Sequence, residues 1–259
     1  MNVNDLVNQS RLYQSLQGSQ AASSTSSVSS TSASAANALS KASERTSQQL
    51  ESTKVQLSSY GQIKSSLSEV QTASKTLADP QKTATVSDVK KAVEGFVNAY
   101  NKANSVVDKA VQGDGKKPGA LADDSRAKVT DNNLQRSLSA GSNLSDLKKI
   151  GITQGKDGSL SIDTTKLNAA LQSNSSQVRS TVAGVAGQIE KTATRELSST
   201  GNVGSSVNSL TSRSRDLQKQ LSSQQNQAAA TQRSVDQYAN RLNDVFATGA
   251  AAYQRMGLG

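Results

Sequence analysis

Residues 207–252 read VNSLTSRSRDLQKQLSSQQNQAAATQRSVDQYANRLNDVFATGAAA, and a single ladder runs through them. Val207, Leu210, Leu217, Leu221, Ala228, Val235, Tyr238, Leu242, Val245 and Ala252 fall on 3,4-spaced positions, with Ser214, Gln224, Thr231 and Gly249 as polar or flexible rungs. A step averaging about 3.5 residues keeps one stripe turned to a partner helix along the whole length, so the stretch predicts a coiled-coil strand. At a rise of about 1.5 Å per residue, such a helix spans roughly 65–75 Å. A chain organised around a rod of that length suits an assembly component better than a small-molecule catalyst.

Two further seams lie upstream. A helix is predicted from Leu39 to Ala78 on the positions Leu50, Thr53, Leu57, Tyr60, Ile63, Leu67, Val70, Ser74 and Leu77. Gly61 sits inside it at about 1 kcal/mol relative to Ala, and Asp79-Pro80 ends it because the residue before proline avoids the α region. Ser87 is the expected N-cap of the next helix. There Val89, Val93, Phe96, Tyr100, Ala103, Val107 and Ala110 step by alternating fours and threes, up to a loop at Gly113-Asp114-Gly115 and Pro118. Asp123 to Ala140 reads as a weaker helix carrying Val129, Leu134 and Leu138.

Then the period changes. Ile150, Ile152, Asp157-Gly158 and the alternating Ser159-Leu160-Ser161-Ile162 predict a short β-hairpin or β-arch with Asp-Gly in its turn. Asp163 caps a following helix that packs through Leu167, Ala170 and Leu171, and a Gly/Ser-rich stretch, Ser198 to Ser206, precedes the terminal rod. At the other end, Val3, Leu6, Val7, Tyr13 and Leu16 have helix-like spacing. Gly18 to Ala38 is a Ser/Thr/Ala tract whose small side chains bury too little to offset chain entropy, so a flexible linker, or at best a helix formed only on assembly, is expected there. The expected fold is mainly α: an elongated antiparallel coiled-coil or helix bundle with a small β-hairpin near residues 150–162. Its expected parts are a flexible segment (residues 1–38), an inner helical domain with the β element (39–197), and a carboxy-terminal rod (198–259) pairing with helix 39–78.

Composition agrees with thin seams rather than a thick core. The hydrophobic fraction is 34%, aromatics are 3%, and there is no Trp. With no His and no Cys, imidazole or thiolate zinc sites, Ser-His-Asp and Cys-His chemistry are excluded, as is any disulfide framework. The net charge of +9 comes from scattered basic residues with no interleaved aromatics, which argues for a solvated basic surface and against nucleic acid as a partner. No apolar run approaches the roughly 18 residues of a membrane span, and Met1 to Leu16 lacks the pattern of a cleaved secretory signal. No membrane insertion is expected. Asp123-Asp124 reads as a solvated or helix-capping pair, Asp157 and Asp163 as turn and cap residues. Gly184, Gly187 and Gly201 form no phosphate-cradling pattern. No enzyme, cofactor or metal is expected.

Four stretches resemble the flagellar filament-capping protein family, also called hook-associated protein 2 or FliD. They are Met1-Asn-Val-Asn-Asp-Leu-Val7, Gln49 to Leu67 (QLESTKVQLSSYGQIKSSL), Val93 to Asn101 (VEGFVNAYN), and Ile150 to Asp163 (IGITQGKDGSLSID) with Lys166, Leu167, Ala170, Leu171 and Asn174. The last is the most specific: a small β element with Asp-Gly leading into a capped helix. The resemblance covers about two thirds of the chain in the family's order. It implies a non-enzymatic part of the bacterial flagellum, extracellular, leaving the cell through the flagellar type III export apparatus without a cleaved signal. Its partners would be further copies of itself in a homo-oligomer and flagellin or hook-associated subunits. In that family, large β-rich outer domains stand between the first long helix and the Phe-Val-Asn-Ala-Tyr helix, whereas here only Asp79 to Val86 joins them. The chain therefore resembles a short form without the outer plate. The residues expected to carry the interaction seam are Leu50, Leu57, Ile63, Leu67, Leu217, Leu221, Val235, Tyr238 and Leu242. The leading expectation is a minimal cap at the distal end that assists flagellin assembly. Beside it stand a hook–filament junction or filament-forming axial subunit and, from another class, a cytoplasmic basic coiled-coil scaffold.

Overall fold

The computed structural model describes residues 25–140 and 143–255. Its elements are α1 (Thr25–Ala78), α2 (Val86–Val111), α3 (Ser125–Ser139), α4 (Asn143–Lys149), β1 (Ile152–Gln154), β2 (Leu160–Ile162), α5 (Thr164–Leu197) and α6 (Asn202–Arg255). The fold is mainly α with one small antiparallel hairpin, as the sequence patterns predict. The chain divides into two compact units: residues 46–220, and residues up to 45 together with those from 221 onward. The expected helix-like spacing over residues 1–17 lies outside the described residues.

The unit of residues 46–220 holds the core. Val89, Val93, Phe96, Tyr100, Ala103 and Val107 of α2 are buried, as their heptad spacing requires. With Tyr60, Ile63, Leu67, Val70 and Leu77 of α1, Leu134 and Leu138 of α3, and Val182, Val185 and Ile189 of α5, they form one continuous apolar cluster. Helix α3 packs on α2 and α5, while α4 lies against β1 and α5. Val129 is exposed rather than part of the α3 stripe. Two polar links between helices lie at the surface: Gln71 donates to Thr194 at 2.7 Å, and Lys102 pairs with Glu69 at 2.7 Å.

Local signals set the helix ends. α1 stops at Ala78, ahead of Asp79-Pro80. α2 begins one residue before the expected cap, and its N-cap is Thr85 rather than Ser87. The Thr85 hydroxyl accepts from the Asp88 N–H while the Asp88 carboxylate accepts from the Thr85 N–H, a reciprocal pair that Ser87 has no partner to form. Asp124 caps α3 by accepting from the Arg126 and Ala127 N–H groups, and Asp163 caps α5 by accepting from Lys166 N–H. Within α5 the backbone leaves helical geometry at Asn174 (φ −156°, ψ 79°), whose side chain caps the continuation by accepting from Gln177 N–H. The Gly/Ser stretch expected to separate α5 from the terminal rod is shorter than its composition implies. α6 starts at Asn202, and Val203, Gly204 and Ser206 are already buried.

The hairpin pairs Ile152 with Ile162, Thr153 with Ser161 and Gln154 with Leu160. Gly158 in its turn has φ +77°, a left-handed conformation that Asp-Gly supplies, and the Asp157 carboxylate accepts from the Ser159 N–H and hydroxyl. Two asparagines of α2 seat the hairpin. Asn101 donates its amide to the Leu160 carbonyl and accepts from the Leu160 N–H, both at 2.7 Å, and Asn104 donates to the Asp157 carbonyl at 2.9 Å.

In the other unit, the first part of α1 carries mostly small or polar side chains, and the last part of α6 mixes such side chains with Val235, Tyr238, Leu242, Val245 and Phe246. From Thr25 the Ser/Thr/Ala tract is helical in the single chain, as part of a 54-residue helix, where a flexible linker or a helix formed only on assembly was expected. Burial was the wrong criterion for this tract. Alanine is the best helix former and serine costs only a few tenths of a kcal/mol more, so a neighbouring helix can continue through it. Leu39 and Ala42 are half-buried here, as are Leu221, Gln224, Thr231 and Leu242 of α6.

Candidate functional site

The nine seam residues occupy three environments. Ile63 and Leu67 belong to the continuous core of the 46–220 unit, and Leu50 and Leu217 are also buried there, at 3% and 7% exposure. Leu57, Leu221 and Leu242 are half-buried. Val235 and Tyr238 are exposed at 38% and 44%. Along α6 the ladder therefore changes character: Val203 is buried, Val207 and Leu210 pack on the core, and further along Val245 reaches 68% exposure. Phe246, beside the ladder, is exposed at 71%.

Yet the register persists. Between residues 222 and 251 of α6, every position outside the ladder is exposed, and the half-buried ones, Gln224, Thr231 and Leu242, are all rungs of it. Thr231 satisfies its hydroxyl on the Gln227 carbonyl within its own helix, at 3.0 Å. A stripe that keeps its period while its large apolar members lie open is a surface that can bury more than it does.

The titratable groups serve structure. Hydrogen bonds from Ser159 hold the Asp157 carboxyl below the usual carboxylate range, and the Lys166 N–H does the same for Asp163. Asp131 goes the other way: burial pushes it up, and the nearby Asp108 charge adds to this, against a hydrogen bond from Gln135. Burial raises the Tyr100 hydroxyl, with the Asp131 charge adding to it. Asp123 is exposed and Asp124 is occupied as a cap, so the pair has the solvated and capping roles read from the sequence. Among the described residues no group of three or more acidic side chains is set to hold a metal.

Sequence reasoning passed over one buried polar centre, Glu196. It lies on the same 3,4 stripe as Val182, Val185, Ile189 and Thr192, and an acidic residue on an apolar stripe was the available signal. Asn101 and Asn104 left no comparable trace, because their partners are main-chain groups more than fifty positions away.

The model of the flagellar hook-associated protein 2 C-terminus matches residues 72–256. The chain belongs to that family. The match spans the end of α1, the hairpin module and all of α6, which is the stretch that carries the open ladder. No curated protein sequence matches the chain. A hook-associated protein 2 relative is a structural component of the bacterial flagellum of the filament-cap type, in a family of exported proteins that act as oligomers and meet flagellin. No helix among the described residues is long and apolar enough to cross a membrane.

Proposed function

We propose that the chain is a minimal filament cap, a subunit that joins copies of itself at the distal end of the flagellar filament and assists the addition of flagellin. The observation that carries this reading is the change along the α6 ladder. Its apolar rungs are covered up to Leu217 and open at Val235, Tyr238 and Val245, with no loss of period. In this reading residues 198–259 supply a coiled-coil strand that pairs with residues 39–78, and the nine seam residues are its contacts. Polar rungs at Gln224 and Thr231 weaken an isolated pair, so neighbouring subunits provide the remaining burial. The subunit leaves the cell through the flagellar type III export apparatus without a cleaved signal. The connection between α1 and α2, residues 79–85 alone, leaves no room for an outer plate and favours a second reading, a slender junction or filament-forming axial subunit.

Electron microscopy of the purified chain at high concentration, with mass photometry of the same sample, tests both. Closed rings of a few subunits support the cap. Open helical polymers support the axial subunit, because a heterologous interface that does not close propagates. A chain that stays monomeric at high concentration, and is retained by flagellated cells, overturns both in favour of a cytoplasmic scaffold.

A further inference from the structure

The 46–220 unit contains one carboxylate that is nearly sealed from water. Glu196, in the last turn of α5, is 2% exposed. None of the ion pairs among the described residues involves it. Its partners are neutral donors from two other helices. Thr130 of α3 donates its hydroxyl to Oε2 at 2.8 Å, and Asn133 of α3 donates its amide to Oε1 at 2.8 Å. Asn202, the first residue of α6, places its amide nitrogen 3.0 Å from Oε2 and 3.3 Å from Oε1. The Thr130 hydroxyl also stands 3.0 Å from the Arg126 carbonyl, but an ionised carboxylate is the stronger acceptor.

The corner beside this carboxylate is tightly folded. Ser198 N–H donates to the Thr194 carbonyl at 3.1 Å, Gly201 N–H donates to the Ser198 carbonyl at 3.0 Å, and Ser205 N–H donates to the Gly201 carbonyl at 2.9 Å. Gly201 and Gly204 pass so close to main chain that a Cβ on either would sit 2.0 Å from a carbonyl oxygen, of Arg195 and of Ser198 respectively. A desolvated charge is costly unless its hydrogen-bonding capacity is filled. Here it is filled only while α3 and the start of α6 are both in place.

We propose that Glu196 is a latch that pins the first turns of α6 to α3. On the reading of α6 as the assembly strand, it is a positioning residue for assembly. A latch differs from ordinary core packing in where its loss is felt. Removing the acceptor frees three donors at one corner, so the opening is local.

Hydrogen exchange on the full chain distinguishes the two. In Glu196→Ala, amides of residues 202–210 should exchange faster by about tenfold or more, the ratio set by losing one charge-assisted hydrogen bond, while amides of the 152–162 hairpin stay at wild-type rates. Glu196→Gln should fall between, since its amide group can accept from Thr130 but turns a donor toward an asparagine donor. Asn202→Ala removes only one donor and keeps the variant set informative should Glu196→Ala fail to fold. It should accelerate the same segment by a smaller factor, and its effect should vanish in the Glu196→Ala background. Unchanged exchange over 202–210, or equal acceleration of the hairpin, overturns the latch. Mass photometry of the same variants separates this from the assembly reading. A local opening with wild-type assembly upholds the latch and removes Glu196 as a positioning residue for assembly.

Discussion

Val245 offers a direct test of the open ladder, because it contributes little to the lone chain and much to a covered seam. It is 68% exposed, so about two thirds of its burial remains to be gained. Full burial of a valine-sized side chain contributes about 1.5–3 kcal/mol, which leaves about 1–2 kcal/mol per subunit for an assembly that covers it. In Val245→Asp that gain disappears and a carboxylate must lose water in its place. Within the free chain the same substitution at an exposed helix position should stay within about 0.5 kcal/mol. The expected result is a melting temperature within a degree or two of wild type, combined with an assembly midpoint raised by about 5–30-fold at the least. A dilution series by mass photometry, read beside circular dichroism melts of the same samples, measures both quantities. A variant that assembles at the wild-type midpoint, or one that loses stability as a monomer, refutes the argument that Val245 is held open for a partner.

Leu221→Asp and Leu242→Asp should abolish assembly while the 150–171 module keeps its wild-type hydrogen-exchange protection; assembly of both at wild-type level removes the seam assignment. Asn101→Ala takes two hydrogen bonds from Leu160, an expected loss of about 1–3 kcal/mol, visible as a melting point lowered by about 2–4 °C per kcal/mol and as faster exchange of the Leu160 amide. No change in either would show that water replaces the asparagine without cost. Asp131 predicts a sign in pH. Its carboxyl is raised in the folded chain, first by burial, so its contribution is fully present below the ordinary carboxylate value and is lost as pH rises through the raised one. Asp131→Asn should therefore melt above wild type at neutral pH, with the difference closing in acid, and an equal shift at both ends would reject the assignment.

The heptads of α1 and α2 were legible because apolar period alone decides which face turns inward, and nearly every rung of both is buried. The hairpin was legible for a different reason: Asp157-Gly158 names its own turn, and Asp163 names the helix after it. What stayed hidden depended on partners remote in sequence or on competition between neighbours. Thr85 outcompetes Ser87 because its third successor, Asp88, can return the hydrogen bond. The helix over the Ser/Thr/Ala tract has no apolar stripe to announce it, because helix propensity rather than burial carries it. The α6 ladder was visible as a stripe, but its period is the same where it is covered and where it is open, so no pattern could mark the change beyond Leu217.

The asparagine beneath the hairpin has one further effect. A two-stranded ribbon presents two outer edges, and an open edge is a template on which foreign strands can add. Asn101 occupies both main-chain groups of Leu160, so its amide plane stands where the next strand would have to start. On that side the ribbon is closed to strand addition by a single side chain from a helix, and chains crowded together in an assembly cannot extend one another's sheets there.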